Sequence, residues 1–187
     1  VIFDEFHERS LDADFGLALA LDVHAGLRPD LRLIVMSATM DSARVAGLLG
    51  NAPVVESLGT SFPVDLRYEA KRADEHIEEM VARVVRSSVF ANDGDVLVFL
   101  PGAREINRVA SLLSQSLGAE FVIAPLHGAL SAAEQDFAIR PALPKSRKVV
   151  LATSVAETSI TIDGVTIVID CGLQRLPKYE PGSGLTR

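Results

Sequence analysis

Apolar residues fall into two patterns along this chain. Some form short, nearly unbroken runs: Val1-Ile2-Phe3, Leu33-Ile34-Val35-Met36, Val96-Leu97-Val98-Phe99-Leu100, Phe121-Val122-Ile123-Ala124, Val149-Val150-Leu151-Ala152 and Val165-Thr166-Ile167-Val168-Ile169. Others recur every third or fourth position: Leu11, Phe15, Ala18, Leu19 and Val23; Ile77, Met80, Val81, Val84 and Val85; Ile106, Val109, Ala110 and Leu113. Runs of the first kind suit strands covered on both faces, and spacing of the second kind suits amphipathic helices. Their alternation predicts an α/β protein with a parallel, doubly wound sheet.

Punctuation residues refine this. Ser10 is placed to cap the first helix, with Asp12 and Asp14 in its first turn, and Gly26 and Pro29 stop it. A strand over residues 32–36 follows, then a short helix through residues 45–49 closed by Gly50 and Asn51, and a short strand at Val54-Val55-Glu56-Ser57. Residues 59–63 collect Gly, Thr, Ser and Pro and read as a linker, which places a domain boundary near residue 62 and gives units 1–62 and 63–187. The second unit restarts with a strand over 64–68. A helix from Ile77, a turn at Asp93-Gly94, a strand over 95–100, a helix over 103–117 ended by Gly118 and a strand over 121–126 come next. Pro141, Pro144 and the bases Lys145, Arg147 and Lys148 read as a solvated loop, with phosphate contact as the alternative. Strands over 149–152 and 165–170 complete the pattern. His24 reads as a surface or packing residue and His76 as a surface residue.

Composition changes little. Of 187 residues, 48% are apolar and 23% charged, which allows a sizeable core. The net charge of −7 divides into −5 over residues 1–62 and −2 over the remainder, so charge alone does not advertise nucleic-acid binding. The single cysteine, Cys171, rules out an internal disulfide, reads as a buried small residue and suits a reducing, cytoplasmic location. No apolar run has the ~18 residues of a membrane span, so no membrane partner is expected. The chain starts inside a predicted strand and stops inside a turn region, and is expected to be an internal piece of a longer protein.

Candidate chemistry sits where strands end. Val1-Ile2-Phe3 runs into Asp4 and Glu5, with His7 two positions on. Carboxylates at the carboxyl end of a strand suit a nucleotide site in an open α/β sheet. Asp4 can hold Mg²⁺ through water, because Mg²⁺ takes oxygen ligands and keeps part of its hydration shell, and Glu5 can polarise the water that attacks a γ-phosphate; the alternative is a solvated acidic turn. Ser37-Ala38-Thr39 stands 33 positions after Asp4 at the end of the next predicted strand, where its hydroxyls can link the site to a neighbouring domain, cap the helix beginning near Asp41, or do both. Between two predicted strands, Thr153, Ser154, Thr158, Ser159 and Thr161 lie with Glu157 and Asp163, more hydroxyls than capping and turns explain.

Asp4-Glu5-Phe6-His7-Glu8-Arg9-Ser10 resembles the DEAH box of superfamily 2 helicases, with Phe6 where Ala is usual. The Phe form, with Cys171-Gly172-Leu173-Gln174-Arg175, looks like the bacterial HrpB-type ATP-dependent helicases. Ser37-Ala38-Thr39 is similar to motif III. Ala152 onward resembles motif V of the DEAH/RHA group, with Ser154 for Asn and Ile160 for Leu; Ser61-Phe62-Pro63-Val64 resembles the connector between two RecA-like domains. The resemblance implies two tandem RecA-like units of P-loop NTPase type, the first lacking its N-terminal part and the second its end. It implies ATP and Mg²⁺ as cofactors, single-stranded nucleic acid, and RNA above DNA, as partner, and a monomeric motor whose interdomain cleft closes on ATP. Glu5 would be the general base, Asp4 the Mg²⁺ organiser, and His7 would couple the site to the second domain with Ser37 and Thr39. Thr153 and Ser154 would hold a strand phosphate, and Ser159, Thr161 and Asp163 would face the nucleotide. Glu157 would order its loop. Phe99-Leu100-Pro101-Gly102 and Pro125-Leu126-His127-Gly128 fall where the family grips the strand backbone, so His127 and Gly128 are candidate contacts, with packing as the alternative for His127. Residues 170–187 resemble the start of the family's β-hairpin, with residues 181–184 at its tip and the return strand largely missing.

Two family motifs do not occur: the phosphate-binding Gly-x-x-x-x-Gly-Lys-Ser/Thr, expected before Val1, and Gln-x-x-Gly-Arg-x-x-Arg, expected after Arg187. The 187 residues alone are therefore expected to be inactive. The rival expectations are a DNA-acting superfamily 2 motor and a nucleic-acid-binding scaffold with a degenerate ATPase site.

Overall fold

The computed structural model describes residues 1–38, 42–57, 59, 62–156, 161–175, 179–180 and 185–186. The chain divides into two compact units, Val1–Asp65 and Leu66–Arg187. Thr39 and Ser159, together with Glu157, Ser61 and the hairpin tip at 181–184, lie outside the described residues.

In the first unit, β1 (Ile2–Phe3) pairs in parallel with β2 (Ile34–Val35). The crossover between them is α1 (Leu11–Gly26), where Ser10 Oγ accepts the Ala13 backbone N–H as an N-cap should. A shorter helix, α2 (Ser42–Leu48), follows and is closed by Gly50 and Asn51, both at positive φ. The core is Phe6, Leu17 and Val45, flanked by Phe3, Ala13, Leu21, Val35 and Leu49.

Four expectations fail here. The helical spacing picked Leu11, Phe15 and Leu19, which are exposed; the stripe that packs is Ala13, Leu17 and Leu21. Ala and Leu fill most of α1's circumference, so periodicity alone does not single out the face that a neighbour covers. Nor is β1 the buried strand its composition suggests, because a two-stranded ladder with helices packed on it leaves Val1 and Ile2 open. Residues 54–57 and 64–68, read as strands, have no regular structure and are exposed. The alternation of Val64, Leu66 and Tyr68 has the right period, but no ladder partner among the described residues.

The second unit holds a four-stranded parallel sheet in the order β4-β5-β3-β6: β3 is Asp95–Phe99, β4 Phe121–Leu126, β5 Arg147–Ala152 and β6 Val165–Asp170. Period-2 alternation splits its side chains between two cores. Val96, Val98, Val149 and Leu151 pack against α3 (Ile77–Ala91) and α4 (Ala103–Ser114) through Val81, Val85, Val89, Ile106, Val109 and Leu113. On the other face, Ala124, Leu126, Val150 and Ala152 pack against Ala138 of α5 (Ala132–Ile139) and against Ala156 and Ile162. The sheet is thus covered on both faces except at the edge strand β6, where Thr166, Val168 and Asp170 are exposed. Helix α5 was not foreseen; its signal was the Ser131-x-x-Glu134 capping box, in which the Glu134 carboxylate accepts the Ser131 N–H and Ser131 Oγ accepts the Glu134 N–H. Past β6, β7 (Tyr179–Glu180) pairs antiparallel with β8 (Leu185–Thr186), a return strand of two residues. Cys171 is half-buried rather than buried, and its Sγ–H donates to Leu173 O. No described helix is long and apolar enough to cross a membrane.

Of the three bases read as a solvated loop, Lys145 is exposed in a turn, whereas Arg147 and Lys148 are structural. Arg147 and Lys148 open β5 and point to opposite faces. The Arg147 guanidinium donates to the carbonyls of Val89, Asn92 and Gly94 at the end of α3, and its Cζ lies 5.4 Å from the Phe121 ring centroid. Lys148 is 3% exposed. Its Nζ donates to Phe137, Ala138 and Arg140 carbonyls at the end of α5 and lies 5.2 Å from the Phe137 ring centroid. Burial pushes the Lys148 ammonium below its ordinary pKa, with Asp95 opposing. Each cation meets the negative end of a helix dipole and satisfies carbonyls that the helix leaves unpaired.

Lys148→Met keeps the apolar stem and removes the donor. It is expected to destabilise the second unit by about 2 kcal/mol, read as a shift in urea midpoint by circular dichroism. Gly94 sits at φ +95°, and a Cβ there would fall 2.1 Å from Thr166 Oγ1. Gly94→Ala is therefore expected to cost about 1–3 kcal/mol in the same assay.

Candidate nucleotide and nucleic-acid sites

Each unit holds its own set of candidate side chains. In the first, the chain leaves β1 through a tight turn. Met36 N–H donates to Phe3 O at 2.8 Å and Phe6 N–H to Met36 O at 3.0 Å, so the parallel pairing continues past both strand ends and brings Ser37, which is exposed, beside the turn. Asp4 Oδ1 accepts the Glu5 N–H at 2.9 Å. Glu5 adopts a left-handed conformation, φ 49° and ψ 37°, uncommon for a non-glycine residue. A single 3-10 turn, Phe6–Glu8, follows, closed by the Glu8 N–H to Glu5 O bond. His7 Nδ1 lies 3.3 Å from Glu5 Oε2 and is buried without a hydrogen-bond partner among the described residues. Asp4, Glu5 and His7 are thus brought together.

Two neighbours that motif reading passed over hold this turn. Phe6 is 4% exposed and packs edge-on to Phe3, with centroids 6.4 Å apart. Arg9 pairs with Asp14 in the first turn of α1 at 2.8 Å, and its Cζ lies 5.8 Å from the Phe6 ring centroid. An apolar residue placed inside an acidic stretch was the available signal for Phe6.

One carboxylate at the turn suits Mg²⁺, which is commonly bound by one or two carboxylates plus waters and substrate phosphates. Among the described residues no cluster of three or more His, Cys, Asp or Glu could hold a metal by itself. Asp4 therefore fits a metal brought with a nucleotide, not a resident ion.

In the second unit the register levels the four strand exits. Leu126 stands opposite Ala152, Ala152 opposite Phe99, and Phe99 opposite Asp170. Thr153 N–H donates to Leu126 O, Leu100 N–H to Ala152 O and Cys171 N–H to Phe99 O, which carries the pairing one residue beyond each strand. Pro101-Gly102, His127-Gly128, Thr153-Ser154 and Gly172 consequently share one edge. After β3 the chain turns to the α3–α4 face, and after β5 to the α5 face, so β3 and β5 flank a topological switch point, where open α/β sheets bind ligands. Thr153 is half-buried, Ser154 and Gly128 exposed and His127 half-buried.

Thr161 and Asp163 are not on that edge. They flank Ile162, which is anchored in the α5-side core, and lead into Gly164 at the amino end of β6, where Asp95 N–H donates to Gly164 O. A six-residue strand separates the two edges by roughly 17 Å. Both side chains are exposed.

The leveled parallel sheet of the second unit, with its polar exits, is a P-loop NTPase-like α/β fold. Residues 75–181 match the helicase conserved C-terminal domain, and the chain belongs to that family, within the DEAH-box/RHA superfamily 2 helicases. It is similar to the ATP-dependent RNA helicase HrpB of Escherichia coli (strain K12), 49% identical over 187 residues, which are 100% of this chain and 23% of the relative. It is also similar to the pre-mRNA-splicing factor ATP-dependent RNA helicase prp22 of Schizosaccharomyces pombe, 37% identical over 193 residues, covering 99% of this chain and 16% of the relative. Among solved structures, the crystal structure of the Escherichia coli DEAH/RHA helicase HrpB superposes with a TM-score of 0.89 at 49% identity over 100% of this chain and 24% of that one. The chain thus spans under a quarter of the length of these relatives.

Phe6→Ala installs the residue more usual in the family but leaves a void beside Leu17 and Val45. It is expected to destabilise the first unit by about 2–4 kcal/mol, read as faster hydrogen exchange of the α1 amides with those of the second unit unchanged.

Proposed function

We propose that this chain is part of an ATP-dependent helicase or translocase that moves on single-stranded nucleic acid, RNA above DNA. The first unit would be the C-terminal part of one RecA-like domain, and the second unit a second RecA-like domain without its end. The observation that carries this reading is the Asp4-Glu5-Phe6-His7 turn at the exit of a parallel strand, with the Glu5 carboxylate beside the His7 imidazole. RNA is preferred because the relatives named above are RNA helicases.

Asp4 holds Mg²⁺ through water. Mg²⁺ and ATP, when bound, supply charge neutralisation at the phosphates and the transferable phosphoryl group. Glu5 orients the attacking water and accepts its proton, and its left-handed backbone fixes where the carboxylate points. His7, Ser37 and Thr39 transmit the state of that site to the second unit. There, Thr153 and Ser154, with His127 and Gly128, hold the sugar-phosphate backbone at the carboxyl edge, so little base preference is expected. Ser159, Thr161 and Asp163 serve the nucleotide. The protein works as a cytoplasmic monomer.

The test is ATP hydrolysis by the full-length parent with and without single-stranded RNA or DNA, beside Glu5→Gln. RNA-stimulated turnover that falls at least ~100-fold in Glu5→Gln is expected. Stimulation by DNA alone would change the substrate, and a folded parent that binds the strand without turnover would be a scaffold. The isolated 187 residues, with neither the phosphate-binding loop nor the arginine motif, are expected to show no RNA-stimulated hydrolysis; detectable turnover would refute that.

A further inference from the structure

Past β6 the chain returns over the carboxyl edge of the sheet at Arg175. Its Nη2 donates to Glu105 Oε1 at 2.8 Å. The two partners differ sharply in environment: the Glu105 side chain is 11% exposed and that of Arg175 64%. Glu105 Oε2 is buried and has no hydrogen-bond partner among the described residues. Gly102, at the exit of β3, completes the arrangement. A Cβ there would lie 3.1 Å from Glu105 Oε2 and 3.5 Å from Arg175 Cζ and Nε, so the guanidinium rests against a position without a side chain.

An ion pair between two exposed chains is worth little, because both side chains lose freedom for a screened attraction. Here one partner is already fixed by burial in the first turn of α4, and only Arg175 is ordered by the contact. A guanidinium carries five N–H donors in a rigid fork. Glu105 takes one side of it, and most of the group remains open to solvent on the edge that also carries Thr153-Ser154 and His127-Gly128. A carboxylate at this edge would repel a nucleic-acid phosphate unless neutralised, and Arg175 neutralises it while presenting further donors outward.

We propose that Arg175 grips a backbone phosphate of the single-stranded nucleic acid, with Glu105 as the positioning residue that holds the guanidinium in place. This rests on the strand-binding reading of the same edge given above.

The experiment measures binding of a fluorescent single-stranded oligouridylate to the full-length parent across a salt series, by anisotropy. Arg175→Gln is expected to weaken binding about three- to tenfold near 0.1 M salt and to lower the slope of log affinity against log salt by about 0.7, the loss of one phosphate contact on a single strand. Because Arg175→Gln strands the buried Glu105 carboxylate, the double variant Glu105→Gln/Arg175→Gln is measured beside it and should keep the loss of the phosphate contact and the lowered slope, without the added repulsion from the bare carboxylate and with the wild-type melting temperature. Glu105→Gln alone should keep the wild-type slope, since the charge stays, while affinity falls as the guanidinium loses its anchor. Thr153→Ala separates the two readings. If it weakens binding while the double variant keeps wild-type affinity and slope, the Arg175 contact is wrong and strand binding at this edge stands. If the wild-type parent does not bind the oligonucleotide, both readings fall.

Discussion

The second unit depends on two consecutive cations at the start of one strand. Arg147 and Lys148 open β5, one of the two inner strands, and the pleat sends them to opposite faces. Each reaches the carboxyl end of the helix on its own face, α3 or α5, and each lies near an aromatic ring. Burying an ammonium such as Lys148 is costly unless its protons are accepted, and three main-chain carbonyls accept them. The register of β5 is thereby tied to both helical layers. A one-residue slip would exchange the faces and leave both sets of carbonyls unpaired.

That tie matters because the candidate nucleic-acid edge is a matter of register. Pro101-Gly102, His127-Gly128, Thr153-Ser154 and Gly172 are level only because Leu126, Ala152, Phe99 and Asp170 are paired across the sheet. The cations sit at the amino end of β5 and the polar exits at its carboxyl end, so the bracing keeps clear of the edge it aligns. Gly102 plays a different part: its missing side chain lets Arg175 and Glu105 approach the exit of β3.

Most of the second unit was legible in the sequence. Strands β3, β4 and β5 contain nearly unbroken apolar runs, while β6 leaves Thr166, Val168 and Asp170 exposed. The errors came where a local signal has two physical readings. Lys145, Arg147 and Lys148 look like a solvated cluster, because composition does not reveal helix ends waiting for donors on either side. Alternation at Val64, Leu66 and Tyr68 reads as a strand, yet a ladder needs a partner, and pairing is not a local property. In α1 an abundance of Ala and Leu hid the packed stripe. Asp4, Glu5 and His7 were legible as a cluster, and the turn after β1 brings them together. That Thr161 and Asp163 would lie toward the opposite edge from Thr153 was not legible, because it depends on where a crossover ends.

The two units also differ in how firmly they hold their chemistry. Glu5 is in a left-handed conformation that costs roughly 1–2 kcal/mol for an L-residue. The Glu5–His7 pair cannot supply that, since contacts of such partly exposed groups contribute about 0–1 kcal/mol. Burial of Phe6, about 2–3 kcal/mol for a side chain of that size, is sufficient, and Phe6 is the next residue in the chain. Its ring is locked against Phe3, Leu17 and Val45, and its N–H is held by Met36 O, so the peptide joining 5 to 6 has little freedom to relax. The aromatic residue inside the acidic motif is therefore what allows the carboxylate before it to keep a conformation it would otherwise leave.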